Sequence, residues 1–165
     1  MNVMTFAHFQ VKRLVRMGSK LKYAFMLKRE LQSAHWKFKR HGLDYMAKEL
    51  EAYQEIEKRV EREISVARTI VGSALAMGYK VSVCDGEEWS VRQSTDKTAI
   101  MAEIATTDCN TLSFRDQEGK SLGSVFLVYG NLASEVMNDW TDTPTMKKIL
   151  DNAIKQCDRY AEKGL

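Results

Sequence analysis

The sequence predicts an α+β fold: an N-terminal long antiparallel helical hairpin, then a β-β-α-β-β-α body with a four-stranded, mainly antiparallel sheet. Three observations carry that prediction. Apolar residues recur at spacings of three and four from residue 4 to about residue 77, and again from 146 to 161, the period of a helix with one buried face. Between Lys80 and Gly130 the period shortens to two, in paired runs each interrupted by an Asp/Gly turn. Glycine, serine and proline cluster nowhere between these regimes, and Pro144 is the single proline. The chain therefore reads as a basic helical arm, 1–78, and a compact body, 79–165, folding as one cooperative unit.

Phe6, Phe9, Leu14 and Met17 share a helical face, and Gly18-Ser19 supplies a C′ glycine followed by an N-cap, so a break is expected there. From Lys20, the set Leu21, Phe25, Leu27, Leu31, Ala34 and Phe38 predicts a second helix. Lys37, Lys39, Arg40 and His41 crowd its carbonyl-rich end, and Gly42 is its expected stop. Leu43, Met46, Leu50, Tyr53, Val60, Ile64, Ala67, Val71 and Ala74 then predict a helix over 43–77. Such a rod is about 50 Å long, too long to bury its stripe on a small sheet alone. It is expected to pair with the preceding helix or with a second copy, as a homodimer. Its Glu57, Lys58, Arg59, Glu61, Arg62 and Glu63 read as a solvated face.

Past Gly78, Val81 and Val83 alternate with Ser82 and Cys84, Asp85–Glu88 forms a turn, and Trp89 and Val91 alternate with Ser90 and Arg92. Ser94 or Thr95 is the expected cap of a short helix over 96–105 with Ala99, Ile100 and Ile104 inward. Thr111–Arg115 reads as a half-buried strand, Asp116-Gln117-Glu118-Gly119 as a turn, and 124–129 as a central strand or one covered on both faces. Residues 132–142 fit either a short helix or a loop. Thr143-Pro144 is a helix start, with proline at the first position. Met146, Ile149, Leu150, Ala153, Ile154, Cys157, Tyr160 and Ala161 give the final helix one apolar face.

At 165 residues with 44% hydrophobic and 28% charged, the chain has a globular composition. No apolar run approaches the roughly 18 residues of a membrane span, and the basic residues of the N-terminus follow its apolar ones, the reverse of an export signal. Cys84, Cys109 and Cys157 are widely spaced and outside any CxxC pattern, so free thiols in a reducing cytoplasm are expected. Net charge is +3 but uneven: Met1–His41 holds ten Lys/Arg and one acid, Glu30, for +9, leaving −6 on the remainder. A basic segment favours phosphates or acidic partners; docking on acids of its own chain is the alternative.

VSVCDGEEWSVRQSTD (81–96), TDCNTLSFRDQEGKSLGSVFLVYGN (107–131) and DWTD (139–142) resemble a family of small tailed-phage proteins with no assigned activity. The resemblance covers about residues 79–143 and omits the basic arm. The chain departs from it after Gly130-Asn131, where Leu132-Ala133-Ser134-Glu135 stands in place of an Asp/Gly-rich turn. What it implies is expression in the cytoplasm of a bacterial host, with no mechanism attached.

Catalytic patterns are sparse. The glycines form neither G-x-G-x-x-G nor a P-loop, and there is no H-E-x-x-H. His8, His35 and His41 all lie in the arm, far in sequence from the cysteines, so no metal site, Cys/His pair or cofactor is expected. Asp108, Asp116, Glu118 and Lys120 could be read as a Mg²⁺ nuclease set, but turn chemistry explains them better. The remaining feature is the arm itself. Lys12, Arg13, Arg16, Lys20, Lys22, Lys37, Lys39 and Arg40 are interleaved with aromatics, and Trp36 falls off the apolar seam beside Lys37. These residues point to a non-catalytic phage accessory protein that binds nucleic acid, or a host complex handling it, without a membrane. The alternative is an inhibitor of a host defence or transcription enzyme acting as a dimer.

Overall fold

The computed structural model describes the backbone of residues 2–16 and 23–165 and the side chains of 2–14 and 26–165. The expected break at Gly18-Ser19, with Lys20 and Lys22, lies outside the described residues. The chain divides into two compact units, Met1–Ile56 and Glu57–Leu165. The division falls inside a helix, not at Gly78 where the sequence changes period.

In the first unit, Asn2 caps helix α1 (Val3–Arg16), its Oδ1 accepting from the Thr5 N–H at 2.8 Å. Helix α2 runs Tyr23–Ala76 and bends at Gly42, where φ is 78° and ψ 178°. That backbone is open essentially to glycine alone, and a Cβ there would meet nothing within 4 Å, so conformation and not space selects the residue. The bend turns Lys37 onto Glu49, 12 residues later; in a straight helix the two would stand about 18 Å apart along the axis. Phe6, Ala7, Ala34 and Met46 form a small core, with Val3, Leu27, Leu31 and Leu50 around it. The buried face of α1 runs through Phe6, Ala7, Gln10 and Val11, leaving Phe9 and Leu14 only half-buried.

The second unit holds five strands, not four: β1 (Lys80–Cys84), β2 (Trp89–Ser94), β3 (Cys109–Arg115), β4 (Ser121–Val128) and β5 (Met137–Trp140), ordered β2-β1-β3-β4-β5. Every neighbouring pair is antiparallel. The added strand falls in the segment that reads as helix or loop. It is four residues long and mostly exposed, too short and too polar for period two to show; pairing with β4 makes it a strand. Registers Val81↔Phe114 and Val83↔Leu112↔Val125 align the inward side chains across three strands, a consequence of the two-residue side-chain period. β4 is internal but covered on one face: Val125 and Leu127 are buried, while Phe126 and Val128 are half-exposed.

Two helices cover that inner face. Val66, Ala67, Ile70, Val71 and Ala74 of α2, and Met146, Ile149, Leu150, Ala153 and Cys157 of α4 (Pro144–Ala161), join the strand residues in one core. Gln156 ties the two helices together, donating to Ser65 Oγ at 2.9 Å and accepting from the Thr69 hydroxyl at 2.8 Å. The expected Thr143-Pro144 start is present, with Thr143 Oγ1 accepting from the Met146 N–H at 3.2 Å. Between β2 and β3, α3 spans only Lys97–Ala102 and is capped by Asp96, not by Ser94 or Thr95. Ser94 Oγ instead accepts from the Asp96 N–H at 3.0 Å, which orients the capping residue.

Gly123 of β4 lies against Met146 of α4 and against Thr141. Its φ is 133°, and a Cβ would stand 2.8 Å from Met146 Cγ and 2.8 Å from Thr141 Cβ. Gly123→Ala is expected to cost about 2 kcal/mol or more through overpacking and backbone strain together. Gly42→Ala is expected to cost about 1–3 kcal/mol from strain alone. Urea unfolding followed by circular dichroism measures both.

Candidate functional site

The basic residues of the arm do not behave alike. Lys12, Lys39 and Arg40 are exposed. Arg13 is half-buried with its guanidinium 4.4 Å from the Tyr53 ring centroid, a cation–π contact that holds α1 against α2. Arg16 is the last residue of α1, and its side chain lies outside the described residues. Lys37 departs from the expectation of an outward cation: it pairs with Glu49 and lies 5.4 Å from the Phe6 ring centroid. Its position between α1 and both arms of α2 explains this, since a half-buried ammonium needs a local carboxylate.

The aromatics converge at the bend. Trp36 is 56% exposed, Tyr45 46%, Leu43 42% and Phe38 40%, and all lie within six residues of Gly42. The Arg40 guanidinium stands over the Trp36 ring at 5.3 Å. His41 meets Trp36 edge-on at 6.1 Å and stacks at a tilt on Tyr45 at 4.6 Å. A cation and three rings thus form one continuous exposed ladder. Of its members, the sequence singled out Trp36 and Arg40; His41 and Tyr45 extend them through ring contacts. The whole first unit carries eleven Lys/Arg against five Asp/Glu, a net +6.

Asp85 and Asp116 of the second unit serve turns. Asp116 Oδ1 accepts from the Lys120 N–H at 2.8 Å, and Arg115 donates to the Gly119 carbonyl at 2.6 Å. Asp108 precedes β3 and Asp116 follows it, so about 20 Å of strand separates them from a shared ion. Asp85 Oδ1 accepts from the N–H groups of Glu88 and Glu87 at 2.9 and 3.0 Å, bonds that hold its carboxyl below the usual value. Among the described residues no three His, Cys, Asp or Glu side chains gather closely enough to hold a metal ion, and no helix is long and apolar enough to cross a membrane.

One buried polar group escapes the sequence reading. Glu63, read as part of a solvated face, is 1% exposed. It lies on the seam that continues through Val66, Ala67 and Ile70, and that spacing is the signal that could have found it. Glu63 Oε1 accepts from the Gly130 N–H at 3.0 Å and stands 3.9 Å from Arg59 Nε. Burial nonetheless raises its pKa, outweighing the Gly130 bond and the Arg59 charge. Burial, and then the Glu63 charge, likewise raise the pKa of the Tyr129 hydroxyl, which has no hydrogen-bond partner. The Cys157 thiol, in the core, is pushed up to about 11.

Comparison of the chain with protein-family models, with curated proteins and with solved structures gives no match.

Because Glu63 titrates higher folded than unfolded, the native state binds the extra proton between its usual value near 4.5 and its raised one. Stability is therefore expected to fall as pH rises through that window. Glu63→Gln keeps an acceptor for Gly130 and removes the titration. Its urea midpoint is expected to stay flat where that of the wild-type protein declines.

Proposed function

We propose that this chain is a phage-encoded accessory protein that acts by stoichiometric binding in the cytoplasm of a bacterial host. Its ligand is nucleic acid, or a host complex that handles it. The contact is made by the basic N-terminal helices, read as an antiparallel hairpin whose fold is set at Gly42. Lys12, Arg13, Arg16, Lys20, Lys22, Lys39, Arg40 and Trp36 are the contact residues, with Lys37 holding the hairpin closed. One observation carries the reading: exposed cations and exposed rings occupy the same unit of net charge +6. Cations attract phosphates without sequence preference and release counterions on contact. The tailed-phage resemblance of residues 79–143 supplies the biological setting.

A second reading takes a protein target, a host defence or transcription enzyme, engaged by a homodimer formed through the helix over 43–77. It is favoured by Ile56 and Val60, 44% and 37% exposed one turn apart on α2.

Fluorescence anisotropy with labelled DNA and RNA at about 50 and 200 mM salt tests the first reading. Affinity is expected to fall steeply with salt, and Lys39→Ala/Arg40→Ala to weaken binding and flatten the log–log salt slope by about one to two. No salt-dependent binding to any strand form would remove the nucleic-acid reading. Capture of a host protein from nuclease-treated lysate, by a chain that sediments as a dimer, would put the second in its place.

A further inference from the structure

Resting on the nucleic-acid reading, we infer that the bend at Gly42 is a base-stacking site, so that the ligand is single-stranded and not duplex. Cations alone would leave strand form open. The rings decide it. Trp36, Phe38 and Tyr45 are each 40% or more exposed, and burying rings of that size is worth more than leaving them in water unless a partner covers them. The Arg40 guanidinium already lies over Trp36 at 5.3 Å, and His41 is already stacked on Tyr45 at 4.6 Å. One is a cation over a ring and the other a ring tilted by 32° on its neighbour, contacts that the π-face of an unpaired base would extend. In a duplex the faces of the bases are hidden in the stack, and only edges and phosphates are presented. In a single strand every base offers a π-face, which aromatic platforms flanked by cations accept with little sequence preference.

The electrostatics match this assignment. From Leu31 to Tyr45 the chain carries Lys37, Lys39 and Arg40 against one acid, the exposed Asp44, a net +2. Lys37 is paired with Glu49, which leaves Lys39 and Arg40 beside the exposed rings, positioned for the phosphates on either side of a stacked nucleotide. An anionic bilayer would also attract cations and tryptophan. It would make less use of the cation–π contact of Arg40 and the tilted ring contact of His41, because lipid headgroups and acyl chains have no flat face to stack.

The test uses the full chain with Trp89→Phe and Trp140→Phe, so that Trp36 is the sole indole. It is titrated with oligothymidylate and oligouridylate of about 20 nucleotides, with a mixed-sequence duplex of equal length, and with phosphatidylglycerol vesicles. Quenching of Trp36 by the single strands but not by the duplex is expected. Trp36→Ala is expected to lose on the order of 10- to 100-fold in single-strand affinity, with duplex affinity changed less than about 3-fold, and Trp36→Phe to recover most of the loss. If duplex and single strand bind alike and Trp36→Ala weakens both equally, the nucleic-acid reading stands and the stacking inference falls. If neither nucleic acid binds, the parent reading falls with it. A blue shift with vesicles in the absence of quenching by oligonucleotides would assign the bend to lipid and overturn both.

Discussion

A sheet with one mostly apolar face has to be covered, and the second unit is built around meeting that demand. The registers that align Val81 with Phe114, and Val83 with Leu112 and Val125, create a continuous hydrophobic surface that strands alone cannot shield. Two helices from opposite ends of the sequence close it: the last turns of α2 and all of α4. Each fully buried aliphatic or aromatic side chain there contributes about 1.5–3 kcal/mol relative to exposure. The details follow from that closure. Gly123 is a glycine because Met146 and Thr141 lie against it. Gln156 sits between Ser65 and Thr69 because two helices on one face present polar atoms where their apolar stripes end. Glu63 is buried because it lies on the covering stripe.

The first unit solves a different problem with less material. Among its described residues, Phe6, Ala7, Ala34 and Met46 form one cluster with their neighbours, and charged and aromatic contacts add to the holding. Arg13 on Tyr53, and Lys37 on Glu49 and Phe6, each join two stretches of helix. A half-buried ion pair of this kind is worth little when exposed and costly to break when desolvated. Trp36, Phe38, Leu43 and Tyr45 are exposed at the bend. The proposed contact therefore lies where the fold leaves aromatic surface exposed.

Much of this was legible in the chain, for identifiable reasons. Gly42, Gly78, the Asp85 and Asp116 turns and the Thr143-Pro144 start are residues whose backbone or side-chain chemistry acts within a few positions, so they speak locally. The class, α+β with helices before an antiparallel sheet, follows from period alone. What was not legible depends on distant partners. β5 exists only through its ladder with β4. Lys37 looked free because Glu49 comes near only once the chain turns at Gly42. Glu63 looked solvated because charge outweighs a seam position in any reading by residue type.

The two rims of the sheet have a consequence for how this protein can meet other chains. β2 is kinked at Gln93, a non-glycine residue with φ of 46° whose N–H is held by Ser82 Oγ at 2.9 Å, and its pairing with β1 slips twice. β5 at the other rim is four residues long and carries Asn138 and Asp139 outward. Neither rim offers a straight run of free amides and carbonyls on which a foreign segment could be templated. Crowded at high copy number, the sheet would resist edge-to-edge growth, and association would be left to side chains on the helices.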